Sequence, residues 1–306
     1  MKTIRSVAYV VFIIIMTVSF SKDLEARRVQ DVSSLEFILQ ELNQRIDSIT
    51  VDFASGVINV YDAENGYFDV VESCYVLLYS ELEYPEFIET LRTMDSAMQR
   101  YNKYVDFVET NNSKQAMLRS VVLDMSLFLQ SSYGYAQGLI AGILQNTIPL
   151  LSNSLLGREV KVKLKNDLLP LLNSSDYAMR YHAVRCVGAL AKGYLNPAIQ
   201  SELAIEIAKL LSDSDMYVVG SAIKTLGDVL SSIEINDDLR DEMISELINL
   251  YVLPIYYPVN SYLEDSLREL IGNDPGKWRE YFSDILGRHQ ILDRRSLLSY
   301  IFGDEQ

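Results

Sequence analysis

Asp176-Tyr-Ala-Met-Arg-Tyr-His-Ala-Val-Arg-Cys-Val-Gly-Ala-Leu190 and Asp215-Met-Tyr-Val-Val-Gly-Ser-Ala-Ile-Lys-Thr-Leu-Gly-Asp-Val229 lie 39 residues apart, and the second echoes the first. The same displacement superposes Leu172 on Leu211, Met179 on Val218, Ala183 on Ala222, Cys186 on Thr225, Val187 on Leu226, Gly188 on Gly227 and Leu190 on Val229. A period near 40 residues is that of stacked helical pairs, in which each unit buries an apolar face only against its neighbours.

Each unit reads alike. An apolar helix (Leu168, Leu169, Leu171, Leu172; then Leu203, Ile207, Leu210, Leu211) runs into a polar turn, Asn173-Ser174-Ser175-Asp176 or Ser212-Asp213-Ser214-Asp215. Ser and Asp there accept hydrogen bonds from the open N–H groups of the next helix, so the turn is an N-cap. In that next helix Met179, Ala183, Cys186, Val187 and Leu190 recur at i, i+4, i+7, i+8 and i+11, one apolar stripe. Ala183, Ala222, Gly188 and Gly227 are small enough to let neighbouring helices come close.

These residues resemble the second half of a HEAT repeat, whose pattern is Asp, then hydrophobe-Arg, then Ala, then Leu-Gly. The resemblance covers two units, about a fifth of the chain. It implies an α-solenoid and, from one repeat to the next, a ladder in which the Arg pairs with Asp side chains of its own and adjoining turns. Arg180 takes that place, with Asp176 and Asp215 as its candidate partners; Val219 stands where the second Arg belongs, so the ladder is expected to stop there.

The chain has 306 residues, 49% of them hydrophobic, with only 14 Gly and 7 Pro, a composition of ordered helical protein long enough for one extended core or two modest ones. Its 27 basic and 42 acidic residues give a net charge of −15. A surface that repels phosphate is a poor match for nonspecific nucleic-acid binding, so no nucleic-acid partner is expected.

Residues 1–21 read as a secretory signal peptide: Lys2 and Arg5, an apolar run from Val7 to Val18 with Phe20, then Ser19-Phe20-Ser21 before a cut ahead of Lys22. The run is shorter than the roughly 20 residues of a stable membrane helix. Export to a periplasm or the cell exterior is expected; the alternative is a tether formed by residues 6–20. No cofactor is implied.

From Leu35 to Val60 apolar residues keep helical spacing, with Ser33 and Ser34 to cap the start and Asn65-Gly66 to end the segment; β-branched residues from Thr50 leave a hairpin open around Gly56. Helices are expected at about 68–82, 85–110, with Pro85 in its first turn, and 113–131. No 39-residue echo reaches this part, so the expected fold is all-α, with an N-terminal helical bundle (22–131) followed by a short HEAT-like α-solenoid (132–306). The nearly uncharged tract 133–156 reads as a buried helix joining the two. Residues 238–250 and 262–272 read as an eroded repeat around Pro254 and Pro258, with 278–286 and 294–302 as an end cap.

The catalytic inventory is thin. His182 and His289 stand in no His-Glu-x-x-His setting, there is no Cys-x-x-Cys and no Gly-x-Ser-x-Gly, and Gly272-Asn-Asp-Pro-Gly276-Lys277-Trp278 is one residue short of a phosphate loop and carries Trp where Ser or Thr would hold magnesium. Asp213, Asp215, Asp237 and Asp238 lack the Gly and terminal Glu of a calcium loop and read as helix caps. Cys74 and Cys186 fall on apolar stripes and read as buried thiols, with a single disulfide as the other option. Asn111 and Asn173 head glycosylation sequons.

What remains is surface. Opposite the apolar stripe lie Tyr181, Arg185 and Lys192, and on the next repeat Lys224. Such helices line the concave side of HEAT-like arrays, so these four residues are the candidate binding site for a protein partner with an acidic surface, and the chain reads as an exported non-catalytic interaction scaffold. The alternative is a small-ligand binder or enzyme with its pocket where bundle meets solenoid.

Overall fold

Among the described residues the chain is helical throughout, and its helices start where short polar side chains stand. The computed structural model describes residues 32–80, 82–104, 112–132, 134–194, 196–233, 236–251, 259–272, 276–277 and 281. The α-helices are α1 (Val32–Ala54), α2 (Val60–Leu77), α3 (Tyr84–Tyr104), α4 (Asn112–Ser131), α5 (Tyr135–Thr147), α6 (Leu155–Leu168), α7 (Tyr177–Gly193), α8 (Pro197–Ala208), α9 (Met216–Ser232), α10 (Asp237–Tyr251) and α11 (Asn260–Ile271). Asn59, Ser154, Asp176, Asn196 and Asp215 each cap the helix that follows by accepting from its free N–H groups. The expected leader, Asn111, Pro254, Pro258, residues 294–302 and most of 278–286 lie outside the described residues.

The expected long first helix is two. Backbone turns over at Gly56, with φ of +77°, a conformation that suits glycine, and Asn59 restarts the chain as α2. Asn65 and Gly66, expected to end a helix, lie inside α2 instead. A Cβ on Gly66 would sit 2.8 Å from Ile49 Cδ1, so this glycine lets α1 and α2 close on each other.

Helices pair as α2/α3, α4/α5, α6/α7, α8/α9 and α10/α11, with α1 packed on α2 and α3. The second members form one continuous row in which α3 packs on α5, α5 on α7, α7 on α9 and α9 on α11. The first members pack on one another less closely: α4 touches α6, and elsewhere side-chain bridges join them, such as Lys114 to Glu64 across α4 and α2 and Lys165 to Glu202 across α6 and α8. An array that is tight in one row and fanned in the other curves toward the tight row, so α3, α5, α7, α9 and α11 form the inner face. The boundary expected at 131/132 falls between α4 and α5, which pack on each other, and one apolar core runs from Leu35 to Ile271. The nearly uncharged tract 133–156 contains α5, whose Ile140, Ile143 and Leu144 are fully buried, and runs on into the exposed Leu155 and Leu156 at the start of α6.

The inter-repeat ladder exists, but with a different acid. Arg180 donates from Nε and Nη2 to both oxygens of Asp213, at 2.7 and 2.8 Å, and from Nη1 to the Ser174 carbonyl at 2.7 Å. Asp176 and Asp215, the expected partners, are turned to capping: they accept from the Ala178 N–H and from the Tyr217 and Val218 N–H groups. Asp213 also accepts from the Asp215 N–H at 2.8 Å, so it ties its own turn to the preceding repeat. The Arg180 and Asp213 side chains are 13% and 7% exposed, and hydrogen bonding to Arg180 holds the Asp213 carboxyl below its ordinary range. Val219, Arg180's counterpart, is buried and apolar, which ends the ladder as expected.

Losing one partner of a nearly buried ion pair leaves the other charge uncompensated, so Asp213→Ala is expected to cost about 3–5 kcal/mol in urea unfolding. Arg180→Val with Asp213→Ser, each residue replaced by its 39-residue counterpart, should recover at least half of that loss. In the wild type the Asp213 contribution is present at neutral pH and is lost on acidification through its depressed pKa.

Candidate functional site

In α7 the stripe Met179, Ala183, Cys186, Val187 and Leu190 is buried, and Val184, Gly188, Ala189 and Ala191 are buried as well. Tyr177, Tyr181, His182, Arg185 and Lys192 are left to face inward. The equivalent stripe of α9 is Tyr217, Lys224 and Asp228 at i, i+7 and i+11, and the exposed Tyr135 and Tyr262 belong to α5 and α11. The four residues expected to bind a partner therefore do share one face, on two adjacent helices.

They differ in what they can offer. Tyr181 is half-buried; its ring meets His182 edge-on at 5.0 Å, with the Arg185 guanidinium 6.0 Å from its centre, and its carbonyl accepts from Ser221 Oγ at 3.2 Å. Arg185 is also half-buried and donates to Gln145 Oε1 of α5 at 2.6 Å. Lys192 and Lys224 are exposed, and both act on the half-buried Asp228, whose carboxyl is nonetheless raised, by burial first and also by Glu269.

The positive strip read from the sequence is thus matched by carboxylates. Asp95 of α3, which the sequence reading missed, lies within electrostatic reach of Arg185. It sits over Gly142 of α5, where a Cβ would come within 2.6 Å of Asp95 Oδ1. Oδ2 accepts from Gln99 at 2.9 Å while Oδ1 is buried without a partner, and burial pushes this carboxyl up to about 6 against the opposing pull of Gln99 and Arg185. His182, packed beside Gly138, has the opposite displacement: burial, then Arg185, lower it to about 4, so it is neutral at pH 7. Its Nδ1 is buried without a partner.

Arg92, also missed, reaches from α3 to Tyr135, its guanidinium 5.6 Å from the ring centre. Asn102 donates to Asn146 at 3.3 Å across the same helix pair. None of these positions stands in a 39-residue echo, so the repeat could not have found them. Tyr217 was within reach of it, as an exposed residue at the start of the echoed helix aligned on Ala178.

Cys74 and Cys186 are both buried and unpaired, and burial raises both thiols, Cys186 to about 12, so neither is a reactive thiolate. Among the described residues no helix is long and apolar enough to cross a membrane, and no group of three or more His, Cys, Asp and Glu is placed to hold a metal ion.

Asp95 is expected to titrate near pH 6 in a carboxyl ¹³C NMR experiment, and Arg185→Gln should move that midpoint upward. A carboxyl raised in the fold binds protons that the unfolded chain releases, so stability falls as pH rises from about 4 to 6. Asp95→Asn should therefore stabilise the protein at pH 8 by on the order of 1–3 kcal/mol, with the difference gone by pH 4.

No protein-family model and no curated protein matches the chain. Solved structures resemble it in outline. A designed armadillo repeat protein in complex with a (KR)4 peptide is 14% identical, over 79% of this chain and 95% of that one, with a TM-score of 0.44. Computationally designed armadillo repeat proteins for modular peptide recognition give 14% over 78% and 94%, at 0.43, and an engineered protein gives 16% over 76% and 92%, at 0.41. Its own helices make the chain an all-α array of stacked pairs, in keeping with the HEAT-like resemblance of residues 176–229.

Proposed function

We propose that this chain is a non-catalytic scaffold that grips a segment of another protein on its inner face, across α5, α7, α9 and α11. The observation that carries this reading is a row of exposed tyrosines on successive inner helices: Tyr135 at 57% exposure, Tyr177 at 51%, Tyr217 at 73% and Tyr262 at 46%. Tyrosine offers large, stiff, amphipathic contact area and is enriched where binding energy concentrates. Around the row stand Arg92, Arg185, Lys192 and Lys224 interleaved with Asp95, Asp228 and Glu269. Charges so interleaved favour a partner of mixed charge over the purely acidic one that the basic residues suggest when read alone.

The alternative of a ligand pocket between residues 22–131 and 132–306 has less support. That region is filled by Ile140, Ile143, Leu144 and Ile148, all fully buried. Export through residues 1–21 remains part of the proposal, and the intact mass of the mature protein tests it: Lys22 as the first residue means release, and a retained Met1 means a tether.

In-cell cross-linking of the tagged full-length protein followed by mass spectrometry tests the binding face. A single dominant partner joined at Lys192 and Lys224 is expected, and Tyr177→Ala with Tyr217→Ala should reduce its capture at least tenfold. Because both side chains are exposed, helical circular dichroism and melting midpoint should stay as in the wild type. Links confined to the outer helices, or capture that survives both substitutions, would remove the inner face from consideration.

A further inference from the structure

Among the described residues, the outer row carries a groove that its helices leave unfilled. It lies between α8 and α10, has a volume of about 440 Å³, and is floored by Leu211 and Met243, which are 5% and 2% exposed. Along α10 its lining residues fall at 239, 242, 243, 246, 249 and 250, one helical face followed for about 16 Å, or three turns. The facing helix ends at Ala208, and Ile205 in its last turn is 40% exposed toward the groove.

Charge gives the groove its polarity. Glu242 and Glu246 stand one turn apart on its rim, both exposed, and neither forms an ion pair among the described residues. Like charges at i, i+4 repel, and the Glu246 carboxyl is raised by partial burial and by Glu242. The basic residue of the opposite wall does not relieve them, because Lys209 donates to Glu206 at 2.6 Å. An apolar floor three turns long beneath two carboxylates that form no ion pair among the described residues is complementary to an amphipathic helix with Leu or Met on one face and Lys or Arg beside it.

We propose that the groove between α8 and α10 docks a basic amphipathic helix of about three turns supplied by another protein. This site is separate from the inner face, so the scaffold holds two segments at once, one on each side of the array.

The test is fluorescence anisotropy of the full-length protein with a labelled synthetic 14-residue peptide carrying a Leu stripe at helical spacing flanked by Lys. Its controls are a scrambled peptide of the same composition and a version with Glu in place of Lys. The striped Lys peptide should bind at least tenfold more tightly than either control. Glu242→Lys with Glu246→Lys should weaken it tenfold or more, whereas Glu36→Lys with Glu41→Lys, the same charge change at exposed positions on α1, should alter it less than threefold. Hydrogen exchange should slow at 205–212 and 239–250 on binding. Tyr177→Ala with Tyr217→Ala should leave this binding unchanged, which separates its outcome from that of the inner-face reading. Equal binding of the scrambled peptide, equal losses in the two charge-reversal variants, or protection confined to the inner helices would each overturn the proposal, the first two by showing general attraction to an acidic protein.

Discussion

The closeness of the inner helices is the constraint on which the rest depends. A Cβ on Gly188 of α7 would fall 2.1 Å from Thr225 Cγ2 of α9, and one on Gly227 of α9 would fall 2.6 Å from Ser266 Oγ and 3.2 Å from its Cα on α11. Gly188, Gly227 and Ser266 stand at successive 39-residue steps, so the same small position repeats at each crossing. At Gly227 the neighbour is backbone as well as side chain, and a methyl group there would have to push whole helices apart. Curvature follows from the same fact, since the row that packs tightly is the one toward which the array bends.

Close approach leaves little room for polar bridging, yet each step of the inner row carries a hydrogen bond. Asn102 reaches Asn146, Arg185 reaches Gln145, Ser221 donates to the Tyr181 carbonyl and Ser266 to that of Ile223. At the turn end of the pairs, Arg180 joins two repeats through two charge-assisted hydrogen bonds to Asp213, and a third holds it to the Ser174 carbonyl of its own turn. Buried cations do similar work elsewhere: Lys161, 1% exposed, donates to the Gly193 carbonyl and Asn153, fixing the end of α7 to α6. These contacts set register, because a helix slipped by one residue would leave a buried donor or acceptor without its partner.

Legibility in the sequence followed the repeat. Where 39-residue periodicity was present, stripe, caps and helix order were all readable, because Asp176 and Asp215 cap in the structure as their positions implied. Arg180 was identified as the ladder residue, but its acid was assigned by family pattern to the capping positions. Asp213, two residues before Asp215, meets Arg180 with both oxygens, whereas Asp176 and Asp215 accept from the N–H groups opening their own helices. In the first half the pairs α2/α3 and α4/α5 stack like the rest without sharing the sequence signal. Shape there is maintained by different means, such as Lys114 bonded to Glu64 and Asn65 and lying over the rings of Phe68 and Tyr101. Asp95 was invisible for the same reason: it stands in a stretch with no echo, and its environment is made by Gly142 and Arg185, 47 and 90 positions away.

The packing constraint also decides what the inner face can be. Where both flanks of an inner helix are occupied by neighbours and its back by the outer row, as in α5, α7 and α9, only about one residue per turn remains exposed, so the face is a narrow column from each helix placed side by side. A column of that width cannot assemble a deep pocket, because pockets need side chains converging from several directions. It can present a repeated element, and the element this chain repeats is tyrosine near the start of α5, α7, α9 and α11. Charges on the same face are offset by carboxylates within electrostatic reach, Arg185 by Asp95 of α3 and Lys192 with Lys224 by Asp228 of α9. Affinity on such a face would come from ring contact and desolvation at the tyrosines, while the offset charges would govern which partner is admitted and in what register.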